Sequence, residues 1–358
     1  MSSSDGPLTG VRVIEFTGIG PGPHCAMLLA DLGAEVLRID RPGGNGWPNP
    51  VVDRGRSVLT VDIRNEAGRK QCSKLAAQAD VLIEGFRPGV MERLGLGPDP
   101  LCTVSPRLIY ARMTGWGQTG PKAQVAGHDI NFIALSGALA AIGEPGRRCV
   151  PPLNLVGDFG GGSLFLAFGI LAALLERGRS GKGQVIDAAI VDGVASLMTM
   201  FAGLIPSGRL SLDRADNLLG GAAPFYRTYR CADGLEVALG ALEPAFYREL
   251  LQTIGAPLRF VDSQHDRTSW QEQARVLGEI FLSKTRDQWC ALLGQTDGCF
   301  APVLDFDEVP ADPHLRARGV YQPIDGHWHA APAPRFSRTP GRIRAGEDTQ
   351  TLLDRWLA

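Results

Sequence analysis

The feature that most constrains this chain is the alternation of short, apolar, β-rich runs with helical stretches through its first half. Val11-Arg-Val-Ile-Glu-Phe16 leads into the turn Gly18-Ile-Gly20-Pro-Gly22-Pro23, then an apolar helix from about His24 to Leu32 stopped by Gly33, then a strand from Glu35 to Ile39. This is a β-α-β unit. Val81–Glu84, Leu108–Arg112 and Gln184–Ala189 repeat the pattern with helical sequence between them. Strands joined through helices run parallel, with the helices on the sheet faces, so residues 1–190 predict one large Rossmann-like α/β domain. Residues 191–223 read as a helical linker: Val191–Ser207 is helical and Ser207–Ala223 is polar and Gly-rich. Phe225–Tyr229 and Leu235–Leu239 then flank the turn Ala232-Asp-Gly234, with helical segments to about Leu293, so 224–330 predicts a smaller α+β domain. Residues 331–358, with Pro332, Pro334, Pro340 and a short helix Thr349–Leu357, are expected to complete the first domain. At 358 residues the chain is long enough for two such cores.

Composition excludes more than it selects. With 36 basic and 38 acidic residues and a net charge of −2, the chain lacks the basic field that nucleic-acid or membrane-surface binding needs. Its seven cysteines (25, 72, 102, 149, 231, 290 and 299) are scattered without a C-x-x-C pair, so neither a disulfide framework nor a zinc knuckle is expected, and a reducing cytoplasm fits best. Met1–Gly6 is polar, not a signal peptide, and Trp356-Leu-Ala358 is not a peroxisomal address. The longest apolar run, Leu164–Leu175, reads as a buried core helix too short to span a bilayer. Gly18-x-Gly20 after a strand, with Asp40 some twenty residues on, mimics a dinucleotide site. The third glycine is missing, however, and Pro21 and Pro23 remove two amides that would face a pyrophosphate. Asp158-Phe-Gly160 has no kinase catalytic loop before it, and Gly181-Lys-Gly183 lacks the spacing of a phosphate loop.

Chemistry concentrates in Gly127-His-Asp-Ile-Asn-Phe132 and in Val156-Gly-Asp-Phe159 with the triple glycine 160–162. Each word puts a titratable residue, His128 or Asp158, at the mouth of a predicted helix, where free N–H groups and the dipole favour an anion. Two acid/base groups beside an oxyanion site suit the removal of a weakly acidic C–H proton and its return. Asp158 also reads as an ordinary N-cap, and Glu243, just before a helix in Gly240-Ala-Leu-Glu-Pro244, reads the same way. Arg41, Arg54, Arg56, Arg64, Arg87 and Arg93 fall at strand ends or in the loops beyond, where α/β sheets bind ligands and guanidinium forks suit phosphates. His24, His265 and His314 read as structural, and His327-Trp-His329 lacks a third ligand, so no metal site is expected.

These words, with Asp31-Leu-Gly-Ala34, Arg38-Ile-Asp-Arg41, Glu84-Gly-Phe-Arg-Pro-Gly89, Glu92–Gly97, Thr114–Pro121 and Asn154–Gly162, occur in one order from Gly6 to about Ser337. In that order they resemble the α-methylacyl-CoA racemase family of the type III CoA-transferase superfamily. The resemblance implies a large α/β domain and a smaller one in each chain, two chains interlocked as rings, and a homodimer with the site between subunits. It implies that His128 and Asp158 are the two proton-transfer bases on opposite faces of the α-carbon of an acyl-CoA. Glu243 of the second chain would hydrogen-bond the imidazole, and the Asp129 main-chain N–H would stabilise the enolate oxygen. It further implies coenzyme A along Arg41, Val61, Asp62, Ile63, Arg64, Gly85, Phe86, Arg87, Arg93, Gly127, Ile130, Asn131 and Phe132. Coenzyme A would be part of the substrate, with no separate cofactor, in fatty acid and lipid metabolism. Met198 and Met200 would belong to an apolar surface under the acyl chain or, more simply, to core packing. Two departures stand out: Arg64 replaces the family's usual lysine, and Leu219-Gly-Gly-Ala-Ala-Pro224 lacks its acidic residue, with Arg227 and Arg230 close by. Alternatives stay open. In CoA-transferase relatives an aspartate matching Asp158 attacks the thioester, though these generally lack the Gly-His-Asp word and Glu243, and an inactive acyl-CoA-binding relative would account for the changes around Gly220.

Overall fold

The computed structural model describes residues 6–44 and 46–358. The first compact unit comprises residues up to 136, 152–197 and 314–358. Its elements begin with β1 (Arg12–Phe16), α1 (Pro21–Asp31), β2 (Glu35–Asp40), β3 (Arg56–Thr60), α2 (Glu66–Ala76), β4 (Val81–Glu84), α3 (Val90–Arg93) and α4 (Pro98–Val104). They continue with β5 (Ile109–Thr114), α5 (Asp129–Leu135), a π-helical segment Leu155–Ser163, α6 (Leu164–Ser180), β6 (Val185–Ala189) and α7 (Ile190–Leu197). The six strands lie in the order β3-β2-β1-β4-β5-β6, and every adjacent pair is parallel. The expected α/β sheet is therefore present, in the strand order of dinucleotide-binding folds, with the order reversing between β1 and β4.

β1 and β4 are nearly continuous apolar runs because helices cover both faces of the sheet. One core packs Ile14, Leu37, Leu82 and Tyr110 against Leu75 of α2 and against Leu352 and Trp356 near the C-terminus. β3, Arg-Ser-Val-Leu-Thr, escapes the sequence reading because it is a sheet edge with little apolar content.

The second unit holds residues 137–151 and 198–313. It contains α8 (Thr199–Leu204), β7 (Tyr226–Arg230), β8 (Glu236–Gly240), α9 (Pro244–Ile254), α10 (Arg259–Asp262), α11 (Trp270–Phe281), α12 (Arg286–Leu293) and the short β9 (Phe300–Pro302). β7-β8-β9 form an antiparallel sheet whose core gathers Phe225, Tyr247, Phe281 and Trp289. The chain then gives α13 (Pro313–Arg318), the antiparallel hairpin β10 (Tyr321–Ile324) and β11 (His327–Ala330), and α14 (Thr349–Leu357), which brings Leu352, Leu353 and Trp356 to the first core.

Four expectations are corrected. Residues 137–151, read with the large domain, belong to the second unit. Residues 314–330, read with the smaller domain, belong to the first unit, where Arg54 donates to the Ala330 carbonyl at 3.1 Å and lies 3.4 Å from His329 Nδ1. Leu164–Leu175 is not buried throughout: Leu166, Ile170 and Ala173 face the protein, but Leu164, Phe168, Leu171 and Leu175 form an exposed stripe on the opposite side of α6. The helix is also longer than that run. The π-helical segment continues into α6 to give 26 apolar-rich residues, Leu155–Ser180, long enough by length and composition to cross a membrane, a test that core helices also pass.

Candidate active site

A cavity of about 820 Å³ opens at the carboxyl ends of the parallel strands. Gly18–Pro21 and Pro23 follow β1, Trp47–Asn49 with Val52 and Asp53 follow β2, and Gly85–Pro88 follow β4. Met113–Trp116 close β5, Ile190 follows β6, and Ala123, Val125, Ala126, Gly127, His128, Phe132, Asn154, Asp158 and Phe159 complete the wall. This is the place where open α/β sheets bind ligands, outside the strand ends at the point where strand order reverses.

His128 is the N-cap of α5, with extended backbone (φ −129°, ψ 174°). Its N–H donates to Asn131 Oδ1 at 3.0 Å and its carbonyl accepts from Asn131 N–H at 2.8 Å, so the cap is made by backbone and Asn131. The imidazole is left exposed against the cavity. The N–H groups of Asp129 and Ile130 open the helix and have no acceptor within it, by position alone. Phe132 anchors this end: its ring meets Trp116 edge-on at 4.7 Å between centroids and its tip abuts Gly115, where a Cβ would come within 2.0 Å of it.

Asp158 lies in the first turn of the π-helical segment; its reading as an N-cap is corrected, because the segment begins at Leu155 and Asn154 holds the N-cap position. Asn154, four residues earlier, donates from Nδ2 to Asp158 Oδ2 at 3.4 Å, and Gly20 at the start of α1 packs against the same oxygen. The Asp158 N–H donates to Asp129 Oδ2 at 2.7 Å. Burial raises the proton affinity of the Asp158 carboxyl; the Asn154 hydrogen bond lowers it, Asp129 raises it and His128 lowers it, with a net increase. A carboxyl more basic than usual and an imidazole close enough to influence it thus line one cavity. Behind them, His24 Nδ1 lies 2.7 Å from Ser163 Oγ and its ring is 4.6 Å from that of Phe159. Burial and then Arg54 and Arg56 hold His24 toward its neutral form, in keeping with a structural histidine.

Of the residues expected along coenzyme A, Gly85, Phe86, Arg87, Gly127 and Phe132 line the cavity, whereas Arg41, Val61, Asp62, Ile63, Arg64, Arg93, Ile130 and Asn131 do not. Val61 is buried and Ile63 packs on the core, while Asp62 and Arg64 pair with each other at 2.8 Å at the surface. Arg41 Nε reaches the Gly44 carbonyl at 2.9 Å; Arg87 and Arg93 are exposed. Arg54 and Arg56, expected as phosphate ligands, are instead committed inward, Arg54 to Asp31 at 2.6 Å and Arg56 to Glu15 at 2.6 Å. Glu243 stands exposed at the N-cap of α9 in the second unit, with no side-chain capping bond. Met198 is half-buried and Met200 exposed, so neither is a core residue. Asn154, Trp47 and Trp116 were not assigned from sequence; only Asn154 carried a signal, its four-residue spacing from Asp158 on a helix. Among the described residues no cluster of three or more His, Cys, Asp or Glu is arranged to hold a metal.

The comparisons agree with one another. A family model described as CoA-transferase family III matches residues 8–349. An alpha-methylacyl-CoA racemase of Mus musculus is 45% identical over 343 residues, 95% of this chain and 89% of that protein. One of Homo sapiens is 42% identical over 360 residues, 97% of this chain and 92% of that protein. The crystal structure of a hypothetical protein from Mycobacterium tuberculosis superposes with a TM-score of 0.79 at 30% identity, covering 97% of this chain and 99% of that one.

Proposed function

The chain belongs to CoA-transferase family III, and from that premise we propose that it is an isomerase interconverting the two configurations at C2 of 2-methylacyl-CoA thioesters. The observation that carries the mechanism is the pairing of Asp158, a carboxyl of raised proton affinity, with His128 in one cavity beside the α5 N-terminus. In one direction neutral His128 takes the α-proton, the C–H electron pair moves onto the thioester oxygen as an enolate, and protonated Asp158 delivers a proton to the other face. In the reverse direction the roles exchange. A carboxyl that protonates more readily than usual suits this alternation, because it must serve as acid on one pass and base on the next. The Asp129 N–H donates to the enolate oxygen. We assign coenzyme A to the strand-end rim, with the exposed guanidiniums of Arg41, Arg87 and Arg93 facing its phosphates. The coenzyme is part of the substrate and no separate cofactor is assigned.

We further propose an interlocked homodimer in which the exposed Leu164, Phe168, Leu171 and Leu175 stripe is covered by the second copy and its Glu243 orients His128. A protein carrying Phe168→Glu is expected to give less dimer on refolding and to melt at a lower temperature than the unmodified one; equal dimer yield and melting temperature would remove the stripe from the interface. With its seven free cysteines the chain is assigned to the reducing cytoplasm, with neither nucleic acid nor membrane as partner.

The test is to incubate one stereoisomer of a 2-methylacyl-CoA in D₂O. Exchange of the α-hydrogen with inversion, lost in His128→Ala and Asp158→Ala, supports the reading. Absence of exchange together with CoA movement onto an added carboxylate would replace it with transferase chemistry, Asp158 being the nucleophile.

A further inference from the structure

We infer that the buried side chain of Asp129 is a positioning residue for Asp158, holding its backbone and, through its own negative charge, setting the pH at which the Asp158 carboxyl changes protonation state. The inference concerns the carboxylate of Asp129, as distinct from its main-chain N–H, and rests on the two-base reading above.

The geometry is specific. Asp129 opens α5 yet sends its side chain across to the π-helical segment, where Oδ2 accepts the Asp158 N–H at 2.7 Å. The residue is only 7% exposed. Gly157 is fitted to it, since a Cβ at position 157 would stand 2.3 Å from Oδ2. The other oxygen, Oδ1, is buried without a hydrogen-bond partner among the described residues. Holding one N–H does not require a charge: an asparagine carbonyl of the same shape accepts that bond without burying an anion that has a single donor, an expensive arrangement. What asparagine does not supply is the field.

The groups around Asp158 leave Asp129 as the source of that field. From α5 come His128, of opposite effect, and Asp129; from its own segment comes neutral Asn154. From α1 come the backbone of Gly20 and His24, which is tied to Ser163, and from α7 the apolar Ile190 and Val194, with Asp192 exposed to solvent. Among the described residues facing Asp158, Asp129 is therefore the acidic neighbour, and its charge opposes ionisation of Asp158 in the direction that a shuttling acid/base requires.

The experiment reads the carboxyl itself, without substrate. Protein labelled with ¹³C at the aspartate carboxyls is titrated by NMR, and the Asp158 signal is identified by its loss in Asp158→Asn. In Asp129→Asn, with far-UV circular dichroism unchanged, the Asp158 midpoint is expected about one pH unit lower than in the unmodified protein, as removal of an adjacent like charge demands. The pH limb of α-hydrogen exchange governed by Asp158 should move by the same amount. An equal or higher midpoint in Asp129→Asn overturns the inference. So does an Asp158 midpoint in the unmodified protein at or below the ordinary aspartate range, a result that stands even if the variant does not fold. If the unmodified protein exchanges no α-hydrogen, the racemase reading fails, while the NMR midpoints still decide the role of Asp129.

Discussion

Gly157→Ala tests the centre of the site through one methyl group. Position 157 is buried on the π-helical segment, and its Cβ would stand 2.3 Å from Asp129 Oδ2, 2.7 Å from Asp129 Cγ and 3.1 Å from Ile133 Cγ2. Nothing flexible lies in the way, because the blocking group is a buried carboxylate on the first residue of a helix. Either the methyl drives that carboxylate off the Asp158 N–H or the segment moves out from α5. Overpacking costs about 1–3 kcal/mol. Loss of the bond to a charged acceptor costs about 1.5–3 kcal/mol. Alanine returns about 1 kcal/mol of helix propensity. The net loss is about 1.5–5 kcal/mol, which for a unit of this size lowers the unfolding temperature by roughly 3–20 °C. Since Asp158 is displaced, exchange of the α-hydrogen should also fall by about 10²-fold. Thermal unfolding beside the D₂O exchange assay measures both. Gly203→Ala is the control: this exposed α8 glycine has open space where its Cβ would stand, so it should gain about 0.5–1 kcal/mol and leave exchange untouched. A Gly157→Ala protein that melts with the unmodified one and exchanges at full rate would refute the reasoning.

Two further outcomes follow from buried carboxylates. Burial pushes Glu84 up to about 7, against its bond from the Phe86 N–H at 2.7 Å and the nearby Arg112. An acid raised in the fold stabilises below its unfolded pKa and loses that contribution as pH rises through the folded value. Glu84→Gln should therefore flatten the decline in melting temperature between pH about 4.5 and 7, and parallel curves for the two proteins would contradict this. Arg56 and Glu15 form an ion pair with both side chains fully buried, so Arg56→Ala should cost about 3–5 kcal/mol in chemical denaturation. Pairing Arg56→Met with Glu15→Met should recover part of that loss, and a double variant less stable than Arg56→Ala would show that the unpaired carboxylate is not the cause.

What the sequence discloses depends on how local the cause is. β1, β2, β4, β5 and β6 are legible because each is an apolar run bounded by glycine, proline or polar residues. β3 is hidden as a half-polar edge strand. The start of the long helix is hidden by Gly160–Gly162, which argue against helix by propensity but are needed where α7 crosses: a Cβ on Gly161 would meet the Val194 nitrogen at 2.9 Å. His128 and Asp158 are legible through the short words around them. The Asp129–Asp158 contact joins residues 29 apart and leaves no periodic trace. The inward commitment of Arg54 and Arg56 is hidden for the same reason, since Asp31 and Glu15, distant in sequence, claim them.

The threading of the two units bears on how the chain is made. The first unit is assembled from three separated stretches and the second from two, so the polypeptide passes between them at 136/137, 151/152, 197/198 and 313/314. No contiguous stretch of the coding sequence specifies either unit alone. During synthesis all six strands of the large sheet are translated by residue 189, yet the core beneath them still lacks Leu352 and Trp356, which are translated after the whole second unit. The sheet bearing the cavity is thus translated before most of the second unit and sealed after it. A nascent chain stalled before α14 exposes the apolar surface around Leu37, Leu75 and Leu82 that chaperones bind.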